Sequence, residues 1–528
     1  MQKSTALLLL LSVSVPFKGF TQNDGSLDLS FHGNGLHNFT FHSGFNSVYD
    51  VDQSGPNAFY ILSDQHITLI DSAGNIDLNF ANNGVLNTSP YVHNDIAIGN
   101  NRLYAGTWDA NNKAQIVCYF LNGAIDSTFG NNGVASPNLP QEQIVYDIQI
   151  DAQGRLLVAG RTDQSNNHNM MLFRLLPNGT VDNSFGSNGL FTFDANGSND
   201  EIWRIAFQSD GKILCAGEHA MNFNTTAVLR LNTDGTIDNS FGNNGVFRYS
   251  VIGRNTHLDD IEVLPDDRIR ITGPFDNTTN YRLYVIGLTA NGTWDGSWAN
   301  NGLYIDPTVN RGNGLLLQPD GRLLVAGSDQ VSFSLRDDYV VMRLDTNGVL
   351  DNSWDGDGVA IVDMAGNTDN LRGVFQLSNG KVLGVGSVRD DNSNRFIGLI
   401  RLNNSGALPC VGVQTNGSQW ICNGDSILIH GQWRHTAGHY AQTFTAQNGC
   451  DSIHSEQLQV YPSQQIQEVH SACGSFTWID GITYSQSTST PQVLLTNQQG
   501  CDSLLTLDLT ILSADSVVDQ HSACGSMK

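Results

Sequence analysis

One short phrase, Asp-x-x-aromatic-x-x-x-Gly, occurs seven times, and its recurrence limits what this chain can fold into more than any other feature. The copies carry Asp28, Phe31 and Gly35, then Asp77, Phe80 and Gly84, Asp126, Phe129 and Gly133, and Asp182, Phe185 and Gly189. Asp238, Phe241 and Gly245, Asp295, Trp298 and Gly302, and Asp351, Trp354 and Gly358 complete the series. Successive spacings are 49, 49, 56, 56, 57 and 56 residues. A fixed period of this size means a stacked array in which one supersecondary unit buries its apolar face only against its neighbours.

Each full unit reads as four strands. In the third, IVYDIQI and RLLVAGRT form a hairpin across Ala152 to Gly154, followed by the apolar Met170 to Leu176 and by Leu190 to Phe193. Alternating or continuous apolar runs bounded by Gly, Asp and Asn carry this assignment. The array opens on a lone fourth strand, Leu36 to Phe41, and closes on a third strand, Phe396 to Leu402. The first fragment therefore completes the last unit, and the predicted fold is a seven-bladed β-propeller of four-stranded antiparallel blades over residues 23–409. The motif aspartate is expected to cap its own turn and the aromatic to wedge between blades, contributing about 2 to 3 kcal/mol. Arg174, Arg230, Arg343 and Arg401 recur five residues before the turn glycine, and pairing with a nearby Asp is expected of them.

The chain carries a net charge of -25, and only six of its 51 acidic residues are Glu. Asp together with Asn and Gly favours tight turns over helices. Such acidity argues against nucleic acid and anionic membrane surfaces as partners. Lys3, the apolar run Ala6 to Val15 and the polar residues to Gln22 have the layout of a signal peptide over 1–22. No later run is long enough to span a bilayer.

After Pro409 a second register takes over. Cys422, Cys473 and Cys524 are 51 residues apart in turn, as are Cys450 and Cys501, which defines modules at 410–462 and 463–513 and the truncated start of a third at 514–528. Modules this small need staples, and regularly spaced cysteines in an exported chain read as disulfides. Pairing inside each module, Cys422 with Cys450 and Cys473 with Cys501, would close loops of 28 residues worth roughly 3.5 kcal/mol each. The competing register pairs Cys410 with Cys422, Cys450 with Cys473 and Cys501 with Cys524. Cys118 and Cys215, on strands of non-adjacent blades, read as buried thiols. No close Cys or His pairs occur, which argues against zinc.

The D-x-x-F-G-x-x-G phrase, followed by DGKILCAG or DGRLLVAG and by RLNTDG, resembles the delta-sixty bacterial β-propeller repeat. Blades one and two are shorter than that pattern, and the first lacks the DGKxLVAG hairpin. The tail, from ACGSFTWIDGITY to GCDSLLTLDLTI, resembles cysteine modules of surface proteins exported by type IX secretion. The resemblance implies an extracellular or outer-surface protein. Relatives of the tail end in a sorting domain, which this sequence does not contain, so surface display is an expectation about the complete gene product.

No catalytic signature is present: no G-x-S-x-G, H-E-x-x-H, P-loop or dinucleotide fingerprint. No cofactor is expected. The stretch densest in oxygen ligands is Asp345 to Gly358, where calcium would have to compete with the turn-forming role that the same residues have in other blades. Aligning blades on the hairpin glycine brings Asp147, Arg204, Asp260, Gly314 and Gly373 to one equivalent place near the channel mouth, with Asp95 close by. Because these vary where the motif repeats, Asp95, Asp147, Arg204 and Asp260 are the candidate ligand-binding residues. The expected function is a monomeric, non-catalytic binding or adhesion protein whose propeller recognises an extracellular glycan or protein, with the Cys modules as stalk. The alternatives are a propeller enzyme acting on extracellular polysaccharide and a purely structural surface protein. An enzyme should gather Asp95, Asp147 and a His at one deep pocket.

Overall fold

The computed structural model describes residues 24–513 apart from 41–46, 90–92, 110, 138, 140, 165–166, 196, 221–222, 278–279, 331–336, 405–413, 431, 446–450 and 497–500. The signal-like segment, Cys410, Cys450 and Cys524 lie outside the described residues. Two compact units, Met1–Leu408 and Pro409–Lys528, divide the chain. Among the described residues there is no helix, and so none long and apolar enough to cross a membrane.

The first unit contains seven four-stranded antiparallel sheets, the blades of a propeller. Their innermost strands are Val48–Gln53, His93–Gly99, Gln143–Ile150, Asp200–Phe207, Asp260–Val263, Arg311–Leu317 and Asn370–Gln376. Each packs beside the next, and the last packs beside the first. The seventh blade takes its outer strand from the start of the unit: Leu36–Phe39 pairs with Arg395–Leu402. Buried apolar residues form seven clusters, each shared by two neighbouring blades. Every cluster contains one motif aromatic, from Phe31 between blades seven and one to Trp354 between blades six and seven. The core is thus a set of wedges between sheets.

The motif builds each wedge twice over. Asp182 accepts the N–H and O–H of Ser184 with one carboxylate oxygen and the Arg174 Nε–H, at 2.8 Å, with the other. The guanidinium of Arg174 lies over the Phe185 ring, 4.5 Å from its centre. The same arrangement joins Arg230, Arg343 and Arg401 to their aspartates and aromatics. The residue after the aromatic then donates its N–H to the turn of the next blade, as Gly186 does to Asp234 at 2.7 Å. Gly235 in that turn has a φ of 85° and stands against Phe185, so it must lack a side chain for both reasons. Asp24 and Gly25 occupy this turn for the last blade, where Asp24 also meets Arg343 at 3.2 Å.

In the second unit, Gln414–Cys422 pairs in parallel with Asp451–Tyr461, and Gln464–Cys473 in parallel with Asp502–Leu512. Each long strand also pairs antiparallel, with Gly438–Thr445 and Gln492–Thr496 respectively. This pairing overturns the expected disulfides: Cys422 is bonded to Cys501, so neither Cys422 to Cys450 nor Cys473 to Cys501 forms. Cys473 lies beside Leu512, at the far end of the eleven-residue strand that Cys501 immediately precedes. At about 3.3 Å per residue the two are some 30 Å apart, far beyond a disulfide's reach. Cys422 lies beside Tyr461, equally far from Asp451, the residue after Cys450. Parallel pairing puts the cysteines of one module at opposite ends and forces the bond across modules. The alternative partners of Cys422 and Cys501, Cys410 and Cys524, are excluded with them. Cys473 is also disulfide-bonded.

Candidate functional site: the channel ring

In six blades the register between the innermost strand and its neighbour slips by one residue just before one position. The residues after the slip are Asp50, Asp95, Asp147, Arg204, Gly314 and Gly373, and Asp260 holds the same place in blade five. A bulge of this kind re-aims the side chain that follows it. The glycine of the LVAG phrase makes room for it: a β-carbon on Gly160 or Gly217 would coincide with the carbonyl oxygen of Ile144 or Glu201.

The structure therefore brings all four candidate residues, Asp95, Asp147, Arg204 and Asp260, to one cavity on the propeller axis, about 360 Å³ in volume. It adds Asp50, Asp52 and Arg372. Sequence alignment missed Asp50 because blade one lacks the hairpin glycine used to align the others; its place before an alternating VDQ run was the available signal.

The ring carboxylates are committed to their neighbours. Each innermost strand is an inner edge whose alternate amides face the channel without a ladder partner. Asp50 accepts the Ile96 N–H at 3.1 Å, Asp95 that of Ile148 at 2.8 Å, Asp147 that of Ile205 at 2.5 Å and Asp260 that of Leu315 at 2.7 Å. Each bond crosses from one blade to the next. Asp260 also accepts from Ile261, and Asp50 from Val51. Arg204, with a 29% exposed side chain, stands among them and approaches Asp260 to 4.0 Å.

Burial pushes these carboxyls up. Asp52 rises to about 7, with the charge of Asp50 adding to burial, and Asp147 to about 6 against the opposing pull of Arg204. Asp95 is raised well above the ordinary range by burial and by Asp50 and Asp147. Burial works against the charge of Arg204 too, but Asp147, Asp260, Asp95 and Asp50 more than compensate and hold its guanidinium charged.

Next to the ring, the bulge residues Tyr146 and Trp203 stack with centroids 4.2 Å apart and planes 19° apart. Arg161 and Glu201 pair beside them at 2.5 Å. Across the mouth, His257 meets Glu218 at 2.9 Å, and Arg311 lies over Tyr281. Among the described residues the cavity lining includes Asp95 and Asp147 but no His or Tyr.

A cluster of three carboxylates stands apart from the ring. Oxygens of Asp338, Asp363 and Asp369 lie within 4.8 Å of one another, an arrangement suited to a hard ion such as calcium. Asp369 is fully buried, and burial raises its carboxyl to about 6. Within Asp345 to Gly358 three of the four carboxylates are taken up locally: Asp345 by the amides of Asn347 and Val349, Asp351 by Ser353 and Arg343, Asp357 by Val359. Cys118 and Cys215 are free and buried, and burial drives both thiols upward, Cys118 to about 12.

Residues 153–185, 208–241 and 318–353 match a family model described as a domain of unknown function (DUF5122) beta-propeller. No curated protein matches the chain. Similar solved structures include a protein of unknown function from Bacteroides caccae, at 13% identity over 59% of this chain and 95% of that one, with a TM-score of 0.31. An ulvan lyase of polysaccharide lyase family PL25 shares 10% identity over 59% of this chain and 80% of its own, with a TM-score of 0.38. Sqt1 from Chaetomium thermophilum shares 12% over 73% and 100%, with a TM-score of 0.36. None of these likenesses is close enough to carry a function over.

Proposed function

We propose that the propeller is the recognition head of an exported protein and binds a carbohydrate polymer across the channel mouth without cleaving it. The observation that carries this reading is the Tyr146–Trp203 stack, whose two residues immediately precede the cavity-lining Asp147 and Arg204. An aromatic face next to a few fixed polar groups suits a sugar ring, which is apolar on its faces and hydroxylated at its edge. The commitment of the ring carboxylates to inter-blade bonds supports binding over catalysis. The delta-sixty and type IX resemblances, the signal-like N-terminus and the Cys422–Cys501 disulfide support export, since such bonds persist in oxidising compartments. The Cys modules then serve as a stalk. Titration of the full chain against a panel of acidic and neutral polysaccharides tests the reading. Trp203→Ala should weaken whichever interaction is found by roughly tenfold, about 1.4 kcal/mol. Equal retention by wild type and variant would sink it.

One observation favours a second reading, an enzyme acting on extracellular polysaccharide. Asp52 and Asp147 titrate at about 7 and about 6 inside the cavity, where a carboxyl acts as general acid or base near neutral pH. Chain shortening by wild type that Asp147→Asn abolishes would replace the binding reading with this one.

A further inference from the structure

The ring has a gap. Of the seven amides that follow the ring position, those of Ile96, Ile148, Ile205 and Leu315 are capped by the preceding blade's aspartate, and those of Val51 and Ile261 by their own blade's. The seventh, Val374, stands opposite Gly384 in the register that Ile205 holds with Cys215, so its N–H likewise faces the channel. Its preceding blade offers Gly314, which has no side chain, and among the described residues no side chain caps Val374. Asn313 aims its NH2 at the Leu371 carbonyl and the Asn370 side chain, and its oxygen takes no bond from Val374. Arg372, two residues before Val374, lines the cavity and donates from Nε to the Val48 carbonyl at 3.2 Å, and among the described residues its terminal nitrogens take no partner. A buried amide facing a polar cavity beside a guanidinium is an oxyanion receptor.

We propose that this gap is a subsite for a carboxylate-bearing sugar residue, whose carboxylate takes the Val374 N–H in place of the side chain that Gly314 lacks, with Arg372 as its counter-ion. The inference rests on the channel-mouth reading and names the ligand class for it: uronate polymers. The cavity, about 360 Å³, falls within the range of small-ligand sites. Repulsion from the ring acids is moderated by the guanidinium of Arg204, which stands among them.

The test compares, on the full chain, an oligogalacturonate with the same oligosaccharide after methyl esterification, which keeps the sugar and removes the charge. Wild type should bind the free acid at least tenfold more tightly. Gly314→Asp supplies the missing carboxylate from the protein and should abolish that preference. A β-carbon at Gly314 would stand 3.0 Å from the Arg372 carbonyl oxygen, so this variant's fold is checked by near-ultraviolet circular dichroism. Arg372→Gln is the second variant and should also lose the preference. Equal binding of acid and ester by wild type overturns the subsite and leaves carbohydrate binding standing, as does a preference unchanged in both variants. Failure to bind any member of the wider polysaccharide panel overturns both.

Discussion

Among the described residues Arg343 is the most enclosed arginine, with none of its side chain exposed, and it serves two aspartates from opposite ends of the unit. Removing it would take the guanidinium away from the buried Asp24 and leave Asp351 with Arg322 alone, at 3.3 Å, and a buried pair broken on one side is costly. Arg343→Ala should therefore lower unfolding stability by about 3 to 5 kcal/mol in denaturant titrations, and a loss under 1 kcal/mol would contradict the account. The pairing itself was legible, since an arginine recurring on an apolar strand needs a partner. The contact of Arg343 with Asp24 was not, because it depends on ring closure. At the ring, sequence variation marked Asp95, Asp147, Arg204 and Asp260. Their role in bridging blades stayed hidden, because which amide a carboxylate meets is a matter of register.

At the scale of strands, the bulge explains why the second strand of the long blades ends its apolar run in a glycine. Neither Gly160 nor Gly217 needs an unusual φ; each needs an empty β-position. Gly160→Ala should fail to fold or lose more than about 4 kcal/mol, as expected when backbone atoms would have to move, whereas a surface turn such as Gly197, with nothing near it, should tolerate alanine better. Thermal unfolding of the two variants side by side checks this. Strand positions were readable from alternation and turn residues, but the slip before Asp147 and its equivalents breaks the period by one residue and leaves no compositional trace. The disulfides failed for a related reason. Spacing showed the cysteines to be modular, yet parallel pairing of Gln464–Cys473 with Asp502–Leu512 decides which ends meet. The bond that does form spans 79 residues, worth roughly 4.5 kcal/mol on the chain-entropy estimate.

For the whole molecule, two families of aspartate respond to pH with opposite sign. Burial raises the motif carboxyls, but hydrogen bonds from Ser184 and the charge of Arg174 hold Asp182 below the ordinary range, and Asp238, Asp295 and Asp351 behave alike. Their stabilisation is present above about pH 4 and lost as pH falls through the lowered values. Asp52, Asp147, Asp259 and Asp369 are raised to about 7, 6, 6 and 6, burial being the main cause. The folded chain thus holds more protons than the unfolded one between about pH 4 and 7, so their effect is to lower stability as pH rises through that window. The midpoint of thermal unfolding should peak near pH 4, where the two effects cross, and decline toward both 2 and 8. A midpoint that climbs steadily from pH 5 to 8 would refute this assignment.

The closing strand also sets an order of events in time. Asp28 and Arg401, which lock the seventh blade, are 373 residues apart. The strand that is synthesised first must wait for nearly the whole propeller to arrive before it finds its place. Contacts of such long range form late. Until then the chain is an open arc with its two ends uncommitted, and completion of the ring becomes the step that commits both at once.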